Sequence, residues 1–113
     1  MEQKNKHNCL DAMKLRLSCE VLARFSLVAI RAHATANLLR WKNQGTWGAA
    51  YDEWFKIIES ADDSVLISYM IGLDENSNRL RQSAPYVGML DQDIIMKVKA
   101  DFTRDEDYAN KNI

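Results

Sequence analysis

Between Cys9 and about Asn43, apolar residues return every three or four positions: Leu10, Met13, Leu17, Val21, Phe25, Val28, Ala32 and Leu39. That spacing places them on one face of an α-helix. Leu15, Cys19, Leu22, Ala29 and Ile30 widen the face well beyond an ordinary amphipathic stripe. At about 100° per residue, most remaining charge falls in one narrow sector made of Arg16, Glu20, Arg24 and Arg31. So apolar a helix must be covered by later helices, by a second copy or by a partner. Asn8 stands where an N-cap is needed and Gly45 where a left-handed C-cap would end the helix. His33, Thr35 and Asn37 weaken the pattern, so a bend is expected between Arg31 and Asn37.

Beyond Gly45 the elements shorten. Thr46 is placed to cap a helix from Trp47 to about Glu59, with Trp47, Ala50, Tyr51, Trp54, Ile57 and Ile58 inward. Asp62 and Asp63 precede Val65, Leu66, Tyr69 and Met70, a third helix ending at Gly72. Asp74 caps a short fourth helix through Leu80 and Arg81, although Asn76, Ser77 and Asn78 are poor helix formers. Ser83-Ala84-Pro85 breaks the helical pattern, and Tyr86, Val87, Met89 and Leu90 make an apolar connector around Gly88. Asp91 caps the last helix, Gln92 to about Thr103, with Ile94, Ile95, Val98 and Phe102 inward. The fold expected is all-α: four to five helices in one domain, residues 1–113, built around the long N-terminal helix. Residues 1–8 and 104–113 are expected to be polar tails.

Composition changes this picture little. The chain's 113 residues, 47% hydrophobic and 27% charged, suit one folded domain and argue against global disorder. A formal net charge of −1 supplies no overall attraction to nucleic acid or an anionic membrane. Cys9 and Cys19 would lie about 15 Å apart on one helix, too far to bridge. Two thiols, partly or wholly buried in a reducing compartment, are the simpler expectation. The most apolar window, Val21 to Ile30, contains Arg24 and is too short to span a bilayer. A cytoplasmic location and no membrane contact are therefore expected.

Candidate chemistry is sparse. The histidines are His7 and His33, and neither lies in a nucleophile or metal signature. The pairs Asp62-Asp63 and Asp91/Asp93 each open an apolar helical run, where capping explains them. No glycine-rich phosphate loop is present. The sequence thus points away from an enzyme and calls for no catalytic residue, metal or cofactor. What remains is contact chemistry. Arg16, Arg24 and Arg31 form a strip that reads either as a solvated salt-bridged face or as a surface for an acidic partner. Trp47, Tyr51 and Trp54, with Trp41 nearby, read either as core cement or as an interface hot spot. Arg79, Arg81 and Tyr86 flank a surface turn.

These patterns predict a protein-binding regulator, inhibitor or antitoxin-like factor acting through an arginine and aromatic surface. Its contact set would be Arg16, Arg24, Arg31, Trp47, Tyr51, Trp54, Arg79, Arg81 and Tyr86. A homodimer through Leu10, Leu17, Val21 and Val28 would cover the first helix. The alternative is a helical DNA-binding regulator reading with Arg79 and Arg81. A metal- or ligand-dependent enzyme is the weaker one. No motif resembles a particular family.

Overall fold

The greasy N-terminal stretch is two helices, not one. A computed structural model describes residues 2–111, with side chains described over residues 10–102. Helix α1 spans Glu2–Arg24 and α2 spans Leu27–Asn43. The break sits at Phe25 and Ser26, upstream of the bend expected between Arg31 and Asn37. Ser26 is extended (φ −70°, ψ 156°) and its Oγ accepts the Ala29 N–H at 3.1 Å, so it caps a new helix. Helix α1 also runs through Asn8, which therefore is not its N-cap, and residues 2–8 continue the helix instead of forming a tail.

His33 and Asn37 weaken the helical pattern because their side chains work on the connector rather than because the helix bends. Asn37, buried in mid-helix, donates Nδ2 to the Pro85 carbonyl at 2.9 Å and the Val87 carbonyl at 3.2 Å. His33 Nε2 lies 3.1 Å from the same Val87 oxygen. The carbonyl of the buried Pro85 and that of the exposed Val87 are both satisfied from α2. At its far end α2 closes in a Schellman motif. The Thr46 N–H reaches the Trp41 carbonyl at 2.9 Å, the Gly45 N–H reaches Lys42 at 3.1 Å, and Gly45 takes φ 79°. Thr46 is thereby committed to ending α2 and does not cap the next helix. Helix α3 starts at Ala49, runs to Ser60, and has Gly48 at its N-cap.

Helix α4 (Asp63–Ile71) and α5 (Glu75–Arg81) follow, and α6 spans Gln92–Lys111, past the end expected near Thr103. Polar residues hold α5 together. Asp74 accepts the Ser77 N–H at 3.1 Å and the Ser77 hydroxyl at 2.7 Å, while Asn76 and Asn78 accept from Arg79 and Arg81 one turn on. Those Ser77 bonds hold the Asp74 carboxyl below its usual range. Gly72 separates α4 from α5 because a Cβ there would stand 2.3 Å from the Ser68 carbonyl oxygen.

Among the described residues the fold is all-helical, six helices in one compact domain measuring 48 × 30 × 28 Å. Helix α1 packs against α4, α5 and α6, whereas α2 packs chiefly on α3. The core draws Val21 from α1, Ile30, Ala34 and Leu38 from α2, Trp54 and Ile58 from α3, Leu66 and Met70 from α4, Leu80 from α5, and Tyr86. No helix among the described residues is long and apolar enough to cross a membrane.

Candidate functional site

The nine residues expected to form one contact surface are divided between the interior and several separate parts of the exterior. Trp54, Arg81 and Tyr86 are interior, at 0%, 1% and 3% exposure. Trp54 donates its indole N–H to the Leu80 carbonyl at 2.7 Å and meets the Tyr86 ring edge-on, centroids 5.7 Å apart. The Tyr86 hydroxyl pairs with that of Ser18 on α1. Burial raises the Tyr86 pKa to about 12, against smaller lowering by Ser18 and Arg81. Arg81 donates Nη1 to the Tyr69 carbonyl at 3.1 Å and Nη2 to Asn78 Oδ1. None of the three can present itself to a protein or a DNA groove from this position. Their partners are two backbone carbonyls, the Asn78 amide oxygen and the Ser18 hydroxyl, and the backbone partners leave no mark in a single sequence.

The arginine strip is broken by the turn at Ser26. Arg16 and Arg24 share one carboxylate, Glu20, at 3.4 and 3.1 Å, and all three lie beside Asp93 and Lys97 of α6. Arg31, on the other helix, reaches elsewhere. It donates Nη1 to the Ile58 carbonyl at 2.6 Å and Nη2 to the Ala61 carbonyl at 2.8 Å and Asp63 Oδ1 at 2.9 Å. A cation at a helix C-terminus complements both the free carbonyls and the dipole. Arg31 thus clamps the end of α3 to the start of α4. Arg79 is on the surface but engaged, its guanidinium forked onto Glu53 at 2.8 and 3.0 Å. That hydrogen bonding holds the Glu53 carboxyl below its usual range. A DNA reader would need Arg79 and Arg81 free to reach phosphates or bases; one is locked to a carboxylate and the other is in the core.

The expected dimer set does not form one face either. Val21 is in the core, Leu17 is half-buried, and Leu10 and Val28 are exposed on different helices. Cys19 is exposed rather than buried, while Cys9 and His7 have side chains outside the described residues.

Trp47 and Tyr51 do reach the surface, at the α2–α3 turn. Trp41 meets Tyr51 at a tilt with centroids 5.2 Å apart, Tyr51 meets Trp47 likewise at 5.8 Å, and Phe55 meets Trp47 edge-on at 6.5 Å. All four rings are half-buried, and the Lys42 ammonium stands 5.4 Å from the Trp47 ring. On the side of α2 turned away from α3 is a surface that the hydrophobic pattern expected to be covered. Val28, Ala32, Ala36 and Leu39 occupy an arc of about 80° at ~100° per residue, opposite the buried Ile30, Ala34, Asn37 and Leu38. All four are exposed, Val28 by 79% and Leu39 by 47%. No acidic residue occurs anywhere in α2, whose last turn carries Arg40 and Lys42. The available signal was compositional: seventeen residues without a carboxylate, and two alanines one turn apart. Phe55 was missed because the inward face of its helix was read as Trp47, Ala50, Tyr51, Trp54, Ile57 and Ile58.

Among the described residues, no three His, Cys, Asp or Glu side chains converge on a common point. Comparison with protein-family models, with curated protein sequences and with solved structures gives no match.

Proposed function

We propose that this domain is a protein-binding module whose contact surface is the outer face of α2 together with the aromatic corner at its end. The partner is an amphipathic helix with an apolar stripe flanked by acidic residues. The observation that carries the reading is the exposure of Val28 and Leu39 at opposite ends of a face without charge. A solvated helix face normally carries charge of both signs, and this one carries none over three turns. Ala32 and Ala36 lie between the two large residues and leave room for a second helix to approach at the near end of the usual 8–10 Å spacing. Arg40 and Lys42, with no acid in their own helix, favour carboxylates on the incoming one. Trp41, Trp47, Tyr51 and Phe55 supply the kind of rigid aromatic area on which interface energy concentrates.

The test places a photo-crosslinking residue at position 36 and compares the wild-type surface with Val28→Glu/Leu39→Glu. The partner should crosslink through an acidic helical segment and lose at least tenfold in affinity against the double variant. Circular dichroism should remain unchanged, since both positions are exposed. Equal crosslinking to both forms, or none to either, removes the proposal. Crosslinks confined to a second copy of the chain would replace the foreign helix with self-association.

A further inference from the structure

A cavity of about 90 Å³ lies between α1, the connector and α6, and its wall holds Arg81, Lys14, Ser18 and Tyr86 beside Leu17 and Ile95. Arg81 is 1% exposed, yet no carboxylate among the described residues stands within ion-pairing distance of it. A guanidinium is not deprotonated in proteins, so a full positive charge is buried there, and the carboxylate that acts on it, Asp74, does so from beyond ion-pairing distance. Its Nη groups face a carbonyl and an amide, and its Nε–H has no acceptor. The Ser18–Tyr86 pair adds a second unengaged donor, because each hydroxyl carries one proton and a single hydrogen bond uses only one of the two. Lys14, half-buried in the same wall, forms no ion pair among the described residues.

The side chains of this wall therefore offer positive charge and N–H or O–H donors over a mainly apolar floor, and no carboxylate lines it. We propose that the cavity binds a short-chain monocarboxylate. The alkyl tail lies against Leu17 and Ile95, and the carboxylate sits at the Lys14 side, within the field of Arg81. Size sets the class. A cavity near 150 Å³ accommodates benzene, so about 90 Å³ takes roughly four non-hydrogen atoms of tail. That fits a propyl or butyl chain and excludes long fatty acids and nucleotides. The site is separate from the α2 surface, and failure of either proposal leaves the other standing.

The experiment titrates the full chain with butyrate and follows backbone amides by ¹⁵N–¹H NMR, with 1-butanol and inorganic phosphate as controls. Saturable millimolar shifts at Lys14, Leu17 and Ile95 are expected for butyrate, and at least tenfold weaker binding for either control. Lys14→Gln should weaken butyrate about tenfold, the effect of one charge-assisted contact. Leu17→Phe fills the cavity and should abolish the shifts while the rest of the spectrum persists. Arg81 itself is left unsubstituted, since its loss endangers folding. Shifts that never saturate overturn the proposal. So do butanol binding as tight as butyrate, or butyrate binding undiminished in Leu17→Phe.

Discussion

Replacing Arg31 by methionine retains the apolar stem and removes every hydrogen bond the guanidinium makes. Three of these go to carbonyls at the end of α3, Ile58 at 2.6 Å, Ala61 at 2.8 Å and, more weakly, Ile57 at 3.5 Å, and one goes to Asp63. The Arg31 side chain is 22% exposed and that of Asp63 65% exposed, so the ion pair is largely screened. Exposed pairs contribute about 0–1 kcal/mol, whereas a hydrogen bond from a charged group in partial burial contributes about 1.5–3 kcal/mol. Arg31→Met should therefore cost about 2–3 kcal/mol and Asp63→Asn less than about 1 kcal/mol. Arg31→Lys, whose single ammonium cannot span these carbonyls, should fall between them. Urea unfolding at neutral pH measures all three as midpoint shifts at constant slope. The reasoning is refuted if Asp63→Asn costs as much as Arg31→Met, because the ion pair would then outweigh the carbonyl clamp. A cost below about 0.5 kcal/mol for Arg31→Met would refute it as well.

Three further substitutions probe local packing and backbone strain, each by chemical unfolding. Gly72→Ala drives a Cβ to 2.3 Å from the Ser68 carbonyl and should cost about 1–3 kcal/mol. Gly88→Ala, at φ 87° with nothing nearer than His33 Nε2 at 3.9 Å, should cost about 1 kcal/mol from backbone strain alone. Trp54→Phe removes the indole N–H from the Leu80 carbonyl, which keeps the Ser83 N–H at 3.0 Å, and puts a smaller ring in a fully buried site; it should cost about 1–3 kcal/mol, more than Trp47→Phe at the half-exposed corner. Tyr86 gives a pH signature. Its pKa is raised from 10.0 to about 12, so the unfolded chain releases this proton first and stability falls as pH rises through that window. The loss attributable to Tyr86 approaches about 3 kcal/mol by the top of the window and should vanish in Tyr86→Phe. An alkaline profile identical in both proteins would contradict the assignment.

Much of the architecture was legible because it is written in local signals. The helical class follows from three- and four-residue periodicity, the end of α2 from Gly45, and the start of α5 from Asp74. Ser26 escaped notice because the apolar pattern runs on through Phe25, Leu27 and Val28, and because Ala29 occupies the position where an acidic residue would have completed a capping box. The contact residues were less legible. Arginine and tyrosine are surface types by habit, and Arg81 and Tyr86 are interior only because a distant carbonyl and a distant hydroxyl meet them there. Val28 and Leu39 erred in the opposite direction. Hydrophobicity marks what could be covered, and the packing of α2 chiefly on α3 leaves its far side open.

Unbroken, the segment from Glu2 to Asn43 would extend about 63 Å at 1.5 Å per residue. The whole domain measures 48 Å along its longest axis. A straight rod of that length would project beyond the domain it helps to build. One hydroxyl, accepting a single amide proton at position 29, shortens the problem by turning the second half back within reach of α3. Ser26 thus marks the point where one apolar stretch becomes two helices, each of which reaches the same interior through Val21 on one side and Ile30, Ala34 and Leu38 on the other.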